Sequence, residues 1–350
     1  MAEHWVEALL DFLDPVEMTV RAQSLPADDQ GRLNWEAFFT RSPKDSMKLR
    51  EMTTVDFRPV ADRREWDARG RLYAPKTPSL REAEFIPIEM YYKIGEKEQN
   101  DLAARFLGSV DLALQQMRAS IPQRNDDIVM ADYRRVELDA FRAWALGEMV
   151  VMNPTDGTTY TVDFGFDAAR YLTAGTAWNN VAVNAYDEFL AFLTDAENLI
   201  SGTPIGAVMR RATLAAIKAD APTETGIELT IAQLEAQLAA DLGGPFRIVI
   251  MENTVETFND GGHATTSVKV WPAEIVAAIP PGGVVGEVGF APVHRAFELA
   301  ATEPGAEIDV RGVTVVREID GGGRGLTVEA QLNAFPLPNE QRLYVIDAGV

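Results

Sequence analysis

The sequence predicts an α+β protein of two or three folding units. Three observations carry that expectation. Its 350 residues exceed the length of one ordinary domain. Apolar residues recur at helical spacing between residues 96 and 147, and again over 185–200. Between and after those segments, short alternating runs are bracketed by glycine, proline and asparagine, the pattern of paired strands. No fixed-period repeat and no low-complexity tract interrupts the chain.

From Glu3 to Leu13, the residues Trp5, Leu9, Phe12 and Leu13 share one helical face, and Pro15 is expected to stop that helix. Residues 19–45 mix short polar–apolar alternations with Pro26, Gly31 and Pro43, and are expected to form an extended arm. Weak alternation from Met47 onward leads to a charged centre at Asp62–Arg71. The chain then returns through Ala74-Pro75-Lys76-Thr77-Pro78 to Arg81. That pattern predicts a long two-stranded excursion with no core of its own. Ile86–Tyr92 reads as a strand, and Pro87 favours a sheet edge.

Two helices are expected next. One runs from about Glu96 to Ser120 and halts before Pro122. The second starts after Asn125, with Asp126 and Asp127 in its first turn, and ends at Gly147. A hairpin follows, Met149–Met152 and Thr158–Phe164 around Asn153-Pro154-Thr155-Asp156-Gly157. Helices at 185–200, about 206–219 and 229–241 alternate with short strands such as Phe246–Met251. Beyond Pro272 only His294–Ala301 looks helical. Val310–Ile319 and Leu326–Leu332 look like strands paired across the turn Gly321–Gly325.

Composition narrows the chemistry. There are no cysteines, which removes disulfides, cysteine–zinc sites, iron–sulfur clusters and thiol catalysis together. No apolar run approaches the roughly 18–20 residues of a membrane span. Met1-Ala2-Glu3-His4 is acidic where a secretory leader is basic, so a soluble protein in a reducing cytoplasm is expected, with no membrane partner. The net charge is −21, unevenly spread. Residues 1–40 hold two basic and eight acidic residues, whereas 41–81 hold eleven basic and six acidic. One basic segment is thus set into an acidic body. Such a chain repels nucleic-acid phosphates instead of displacing their counterions.

Catalytic signatures are missing. His4, His263 and His294 are the only histidines, and none forms an HExxH pair. Asn259-Asp260-Gly261-Gly262-His263 has too few carboxylates at alternate positions for a calcium loop and reads as a turn. Gly282-Gly283-Val284-Val285-Gly286-Glu287-Val288-Gly289 has the wrong spacing for a phosphate loop, and no helix is expected after it. The adjacent pairs Asp28/Asp29 and Asp126/Asp127 point in different directions and make no acid–base couple by themselves. No catalytic residue, metal ligand or cofactor site is expected.

The order of several motifs resembles the major capsid proteins of tailed bacteriophages, specifically the phage lambda capsid protein E family. After the long helical region come Ala145-Leu146-Gly147, the hairpin, and Val162-Asp163-Phe164-Gly165. Ala177-Trp178-Asn179 and the helix at 187–200 follow, leading into Gly202-Thr203-Pro204-Ile205-Gly206-Ala207-Val208-Met209, like that family's glycine–proline entry into an apolar strand. Near the end, Phe335-Pro336-Leu337-Pro338 precedes a strand Leu343–Ile346. The resemblance spans roughly residues 50–350.

The resemblance implies an α+β Hong Kong 97-type major capsid fold. Its parts would be an N-terminal arm (1–45), an extended loop (46–92), a peripheral domain (93–202, with a spine helix at about 126–147), an axial domain (203–300) and a return to the peripheral domain (301–350). It implies a non-enzymatic shell protein, without cofactors, that assembles with itself into pentamers and hexamers of an icosahedral virion capsid. Portal and scaffolding proteins, a decoration protein and packaged double-stranded DNA would be its other partners, with assembly in the host bacterial cytoplasm. The extended loop would lie across a neighbouring subunit, and Arg63, Arg64, Arg69, Arg71 and Lys76 are its candidate contact residues. The alternatives are an encapsulin-like nanocompartment shell protein and a soluble enzyme using carboxylates distant in sequence.

Overall fold

The computed structural model of the chain describes residues 9–10, 13–25, 33–46, 48–53, 79–105, 109–152, 159–200, 202–222, 229–258, 265–302, 308–319 and 325–350. Its first full helix, α1 (Pro15–Ser24), begins where a stop is expected from the sequence. Asp14 caps it by accepting from the Val16 N–H at 2.8 Å, and Pro15 occupies the first turn, where a missing donor costs nothing. The extended arm expected over 19–45 is therefore corrected at its start. Thr19 and Ala22 are buried within a helix, and extended chain appears only at β1 (Phe39–Pro43), after a 3-10 turn at Asn34–Ala37.

The expected excursion has the expected root. β2 (Lys48–Thr53) pairs antiparallel with β3 (Ser79–Glu84), from Lys48 opposite Glu84 to Thr53 opposite Ser79. β4 (Pro87–Ile94) follows as an edge strand starting on its proline.

The two expected helices are corrected to a short helix α2 (Glu96–Arg105) and one 37-residue helix α3 (Val110–Leu146), with Pro122 inside it. At 1.5 Å per residue α3 is about 55 Å long. A proline in a helix interior costs about 3 kcal/mol. Burial on both sides of it outweighs that: Met117 and Ile121 before it, and Ile128 and Val129 after it, enter one core. Asp126 and Asp127 therefore sit in mid-helix, held by Arg21 of α1 and by Gln123. Gly147 ends α3 at φ 69°, a left-handed conformation suited to glycine.

The main sheet runs β1–β13–β15–β14, with β4 on the other side of β15. Here β13 is Gly286–Ala291, β14 is Thr314–Ile319 and β15 is Leu326–Pro338. All pairs are antiparallel except β1 with β13. The strand expected to end at Leu332 continues through Pro336 and Pro338. Residues 334–338 pair only with β13 among the described residues, so one side of β15 is open there and the missing proline donors break no ladder.

A second sheet, β7–β16–β12–β8–β9, contains Tyr171–Thr173, Val345–Asp347, Ile275–Ile279, Gly206–Met209 and Arg247–Ile250 in that order. The helix expected from about 206 thus starts later, because 206–209 is the fully buried strand β8. Three helices share a core with this sheet: α4 (Ala185–Leu199), α5 (Arg211–Asp220) and α6 (Ile231–Leu242). Residues 203–300 supply β8, β9 and β12 of it, whereas β7 and β16 come from outside that span. Within the span, β13 joins the main sheet instead. The hairpins β5–β6 (Glu148–Met152, Thr159–Asp163) and β10–β11 (Thr254–Phe258, Thr265–Lys269) and helix α7 (His294–Thr302) complete the described elements.

Candidate assembly surface

The ribbon β2–β3 is the feature of this fold least able to stand alone. Among the described residues it pairs with no other strand, so both its edges keep unpaired backbone groups. Its register places Lys48 opposite Glu84, Arg50 opposite Glu82 and Glu51 opposite Arg81. Arg63, Arg64, Arg69, Arg71 and Lys76 all fall in 54–78, outside the described residues.

The two feet of the ribbon are fixed side by side on β13. On the entering side, the Lys44 N–H donates to the Phe290 carbonyl at 2.8 Å and its ammonium pairs with Glu287. Arg311 holds Asp45 and the Lys44 carbonyl. Just upstream, the Arg41 guanidinium lies 5.6–5.7 Å from the ring centres of Trp35, Tyr133 and Phe290, and its Nε donates to Glu36 at 3.0 Å. On the returning side, Phe85 is buried, with its ring centre 6.2 Å from that of Phe335.

Both feet meet at Gly289, where a Cβ would lie 3.1 Å from the Phe85 ring and 3.3 Å from Lys44 Cε. A Cβ on Gly286 would stand 2.4 Å from the Leu337 carbonyl. The glycine run 282–289 thus serves close strand packing. The second half of the run, Gly286 to Gly289, already belongs to β13, and the next helix, α7, starts only at His294. Sequence inspection singled out the glycines but missed the pairings of Lys44 with Glu287 and of Arg311 with Asp45. Their signal, opposite charges some 240–270 residues apart, appears only once β1 is placed beside β13.

Buried carboxylates cluster along α3 without forming a reactive site. Glu137 accepts from the Asn34 backbone N–H at 3.1 Å and its side-chain amide at 3.0 Å, fastening the arm to α3. Burial raises its pKa, against the pull of those two bonds. Asp139 is raised chiefly by burial too, with Arg135 at 2.9 Å opposing. A cavity of about 540 Å³ lies elsewhere, lined by Lys93, Lys97, Asp101, Ser120 and the ion pair Arg124–Glu98. Among the described residues no three His, Asp or Glu side chains converge as metal ligands, and His294, the one described histidine, is 87% exposed.

No protein-family model matches the chain, and no curated protein matches its sequence. Among solved structures it is similar to a protein assigned as the capsid protein of an Escherichia coli CFT073 prophage, with a TM-score of 0.55 at 12% identity. It is also similar to a phage-related protein of Bordetella bronchiseptica RB50, with a TM-score of 0.47 at 14% identity, covering 96% of this chain and 97% of that one. The capsid of Myoviridae phage XM1 gives a TM-score of 0.48 at 11% identity, covering 91% and 92%. Identities this low speak for the fold alone. Because the first alignment takes in 96% of this chain and 99% of that protein, the whole chain, and not one module of it, has the Hong Kong 97-type capsid fold that the sequence resemblance implies.

Proposed function

We propose that the protein is the major capsid protein of a tailed double-stranded DNA bacteriophage, closing with itself into the pentamers and hexamers of an icosahedral shell. The observation that carries this is the near end-to-end likeness to a prophage capsid protein. The β2–β3 ribbon, which pairs with no other strand among the described residues, supports it, since a neighbouring subunit would offer its edges a partner. In this proposal the ribbon and residues 54–78 form the extended loop, Arg63, Arg64, Arg69, Arg71 and Lys76 contact the next subunit, and α3 is the spine. The second sheet is the body of the axial unit.

The protein's work is assembly, not turnover. Its other partners are portal and scaffolding proteins, a decoration protein and the packaged genome, and it is assembled in the bacterial cytoplasm. With a net charge of −21 the shell does not grip DNA, so the genome slides as it enters.

Negative-stain microscopy of the overexpressed full chain tests this. Icosahedral particles, tubes or sheets are the expected result, whereas a single species near 38.5 kDa at every salt concentration would count against it. Thermal unfolding should also be unmoved by a chelator. A fall of many degrees would reveal a structural metal and overturn the cofactor-free account.

A further inference from the structure

Between helix α3 and the strands β4 and β15 lies a buried carboxyl group. Asp132 is 1% exposed, and its Oδ2 meets no hydrogen-bond donor among the described residues. The helix–sheet contact is built largely of apolar side chains, among them Ile128, Val129 and Val136 from the helix and Val328, Ala330 and Leu332 from β15, with the Tyr92–Asn125 hydrogen bond in the same contact. The charged groups acting on Asp132 across the contact are both acidic, Glu89 of β4 and Glu329 of β15.

Several basic groups of α3 and the elements packed on it are held by other partners. Arg135 holds Asp139 and the Val150 carbonyl, Arg124 holds Glu98, Arg21 holds Asp126, and Arg41 holds Glu36. From the arm, Asn34 answers Glu137 and not Asp132. An ionised carboxylate in such a place would carry an uncompensated desolvation cost, so the group keeps its proton. Burial first, then the charges of Glu89 and Glu329, push its pKa well above the ordinary carboxylate range.

We propose that this contact is a proton-dependent joint: Asp132 holds its proton while α3 lies on the β4–β15 surface, and giving that proton up to solvent loosens the contact. The sign follows from linkage. A carboxyl whose pKa is raised on folding favours the folded state fully below its unfolded pKa, and that advantage is lost as pH rises through the folded value. The helix–sheet contact is therefore tightest in acid and weakens toward neutral and alkaline pH. The inference concerns contacts inside one chain and does not depend on the capsid assignment.

Hydrogen exchange of the full chain, followed in peptides covering 121–137 and 326–333 at about pH 5 and about pH 8 and corrected for intrinsic rates, is the test. In the unmodified protein, opening should grow more frequent from pH 5 to pH 8. Asp132→Asn should flatten that dependence and slow opening by a larger factor at pH 8 than at pH 5, up to about tenfold per pKa unit of the original shift. Asp132→Leu removes the polar group altogether and keeps the test decisive if the new amide harms folding. Glu89→Gln, by deleting one of the repelling charges, should move the midpoint of the pH dependence downward. The proposal is overturned if both Asp132 variants retain the original pH dependence, or if neither slows opening at pH 8.

Discussion

Reversing Arg63, Arg64, Arg69 and Arg71 to glutamate together should leave the chain folded and stop shell assembly at low salt. Residues 41–81 carry eleven basic and six acidic side chains, and the four reversals turn that balance into seven and ten. In the proposed assembly, a segment that would be attracted to an acidic neighbour would then be repelled by it. Exposed ion pairs contribute only about 0–1 kcal/mol each, so single reversals should show little, whereas four acting on every subunit contact add up. Screening acts over about 8–10 Å at moderate salt, so raising the ionic strength should restore part of the assembly. Folding should survive, because the main cores are built from described residues outside 54–78. Circular dichroism beside sedimentation gives the answer. Normal spectra together with normal shells at low salt would show that this segment does not orient neighbours.

Trp144→Ala should cost about 3–5 kcal/mol of stability, the largest loss expected from one side chain here. The indole is fully buried where three parts of the chain meet. Its ring lies 5.1 Å from Phe38 and 6.3 Å from Phe39 of the arm, and 5.2 Å edge-on from Trp271 just before β12. The Tyr171 hydroxyl donates to its carbonyl at 3.2 Å, bringing β7 to the same point. Truncation opens a cavity that none of these rings can fill without moving. Trp144→Phe should cost much less, because the indole N–H has no acceptor among the described residues and only ring volume is lost. Urea unfolding midpoints would check both, and an unchanged midpoint for Trp144→Ala would remove Trp144 from the junction.

The rooting of the β2–β3 ribbon marks how far local sequence carries toward such a site. The two-stranded excursion, its basic charge and its lack of a core are all local properties. The ribbon β2–β3 appears where alternation placed it. Nothing local says where the ribbon stands, since its feet are held by Glu287, Phe335 and Arg311, more than 200 residues away. The five candidate cations were legible as a charge pattern and not as a constellation.

Local chemistry determined the elements whose signals lie within a few residues. Gly147 closes helix α3, the hairpin Glu148–Met152 with Thr159–Asp163 forms, and Thr230 with Gln233 makes the capping box that starts α6. These depend on short-range hydrogen bonds and allowed φ values, which a chain carries with it wherever it goes. Tertiary structure decided the rest. It let the helix pass through Pro122, carried β15 across Pro336 and Pro338, set β1 parallel to β13, and sealed Asp132 between helix and sheet. In each case burial against residues far along the chain outweighed a local preference of a few kcal/mol, and that burial exists only once the distant partner is in place.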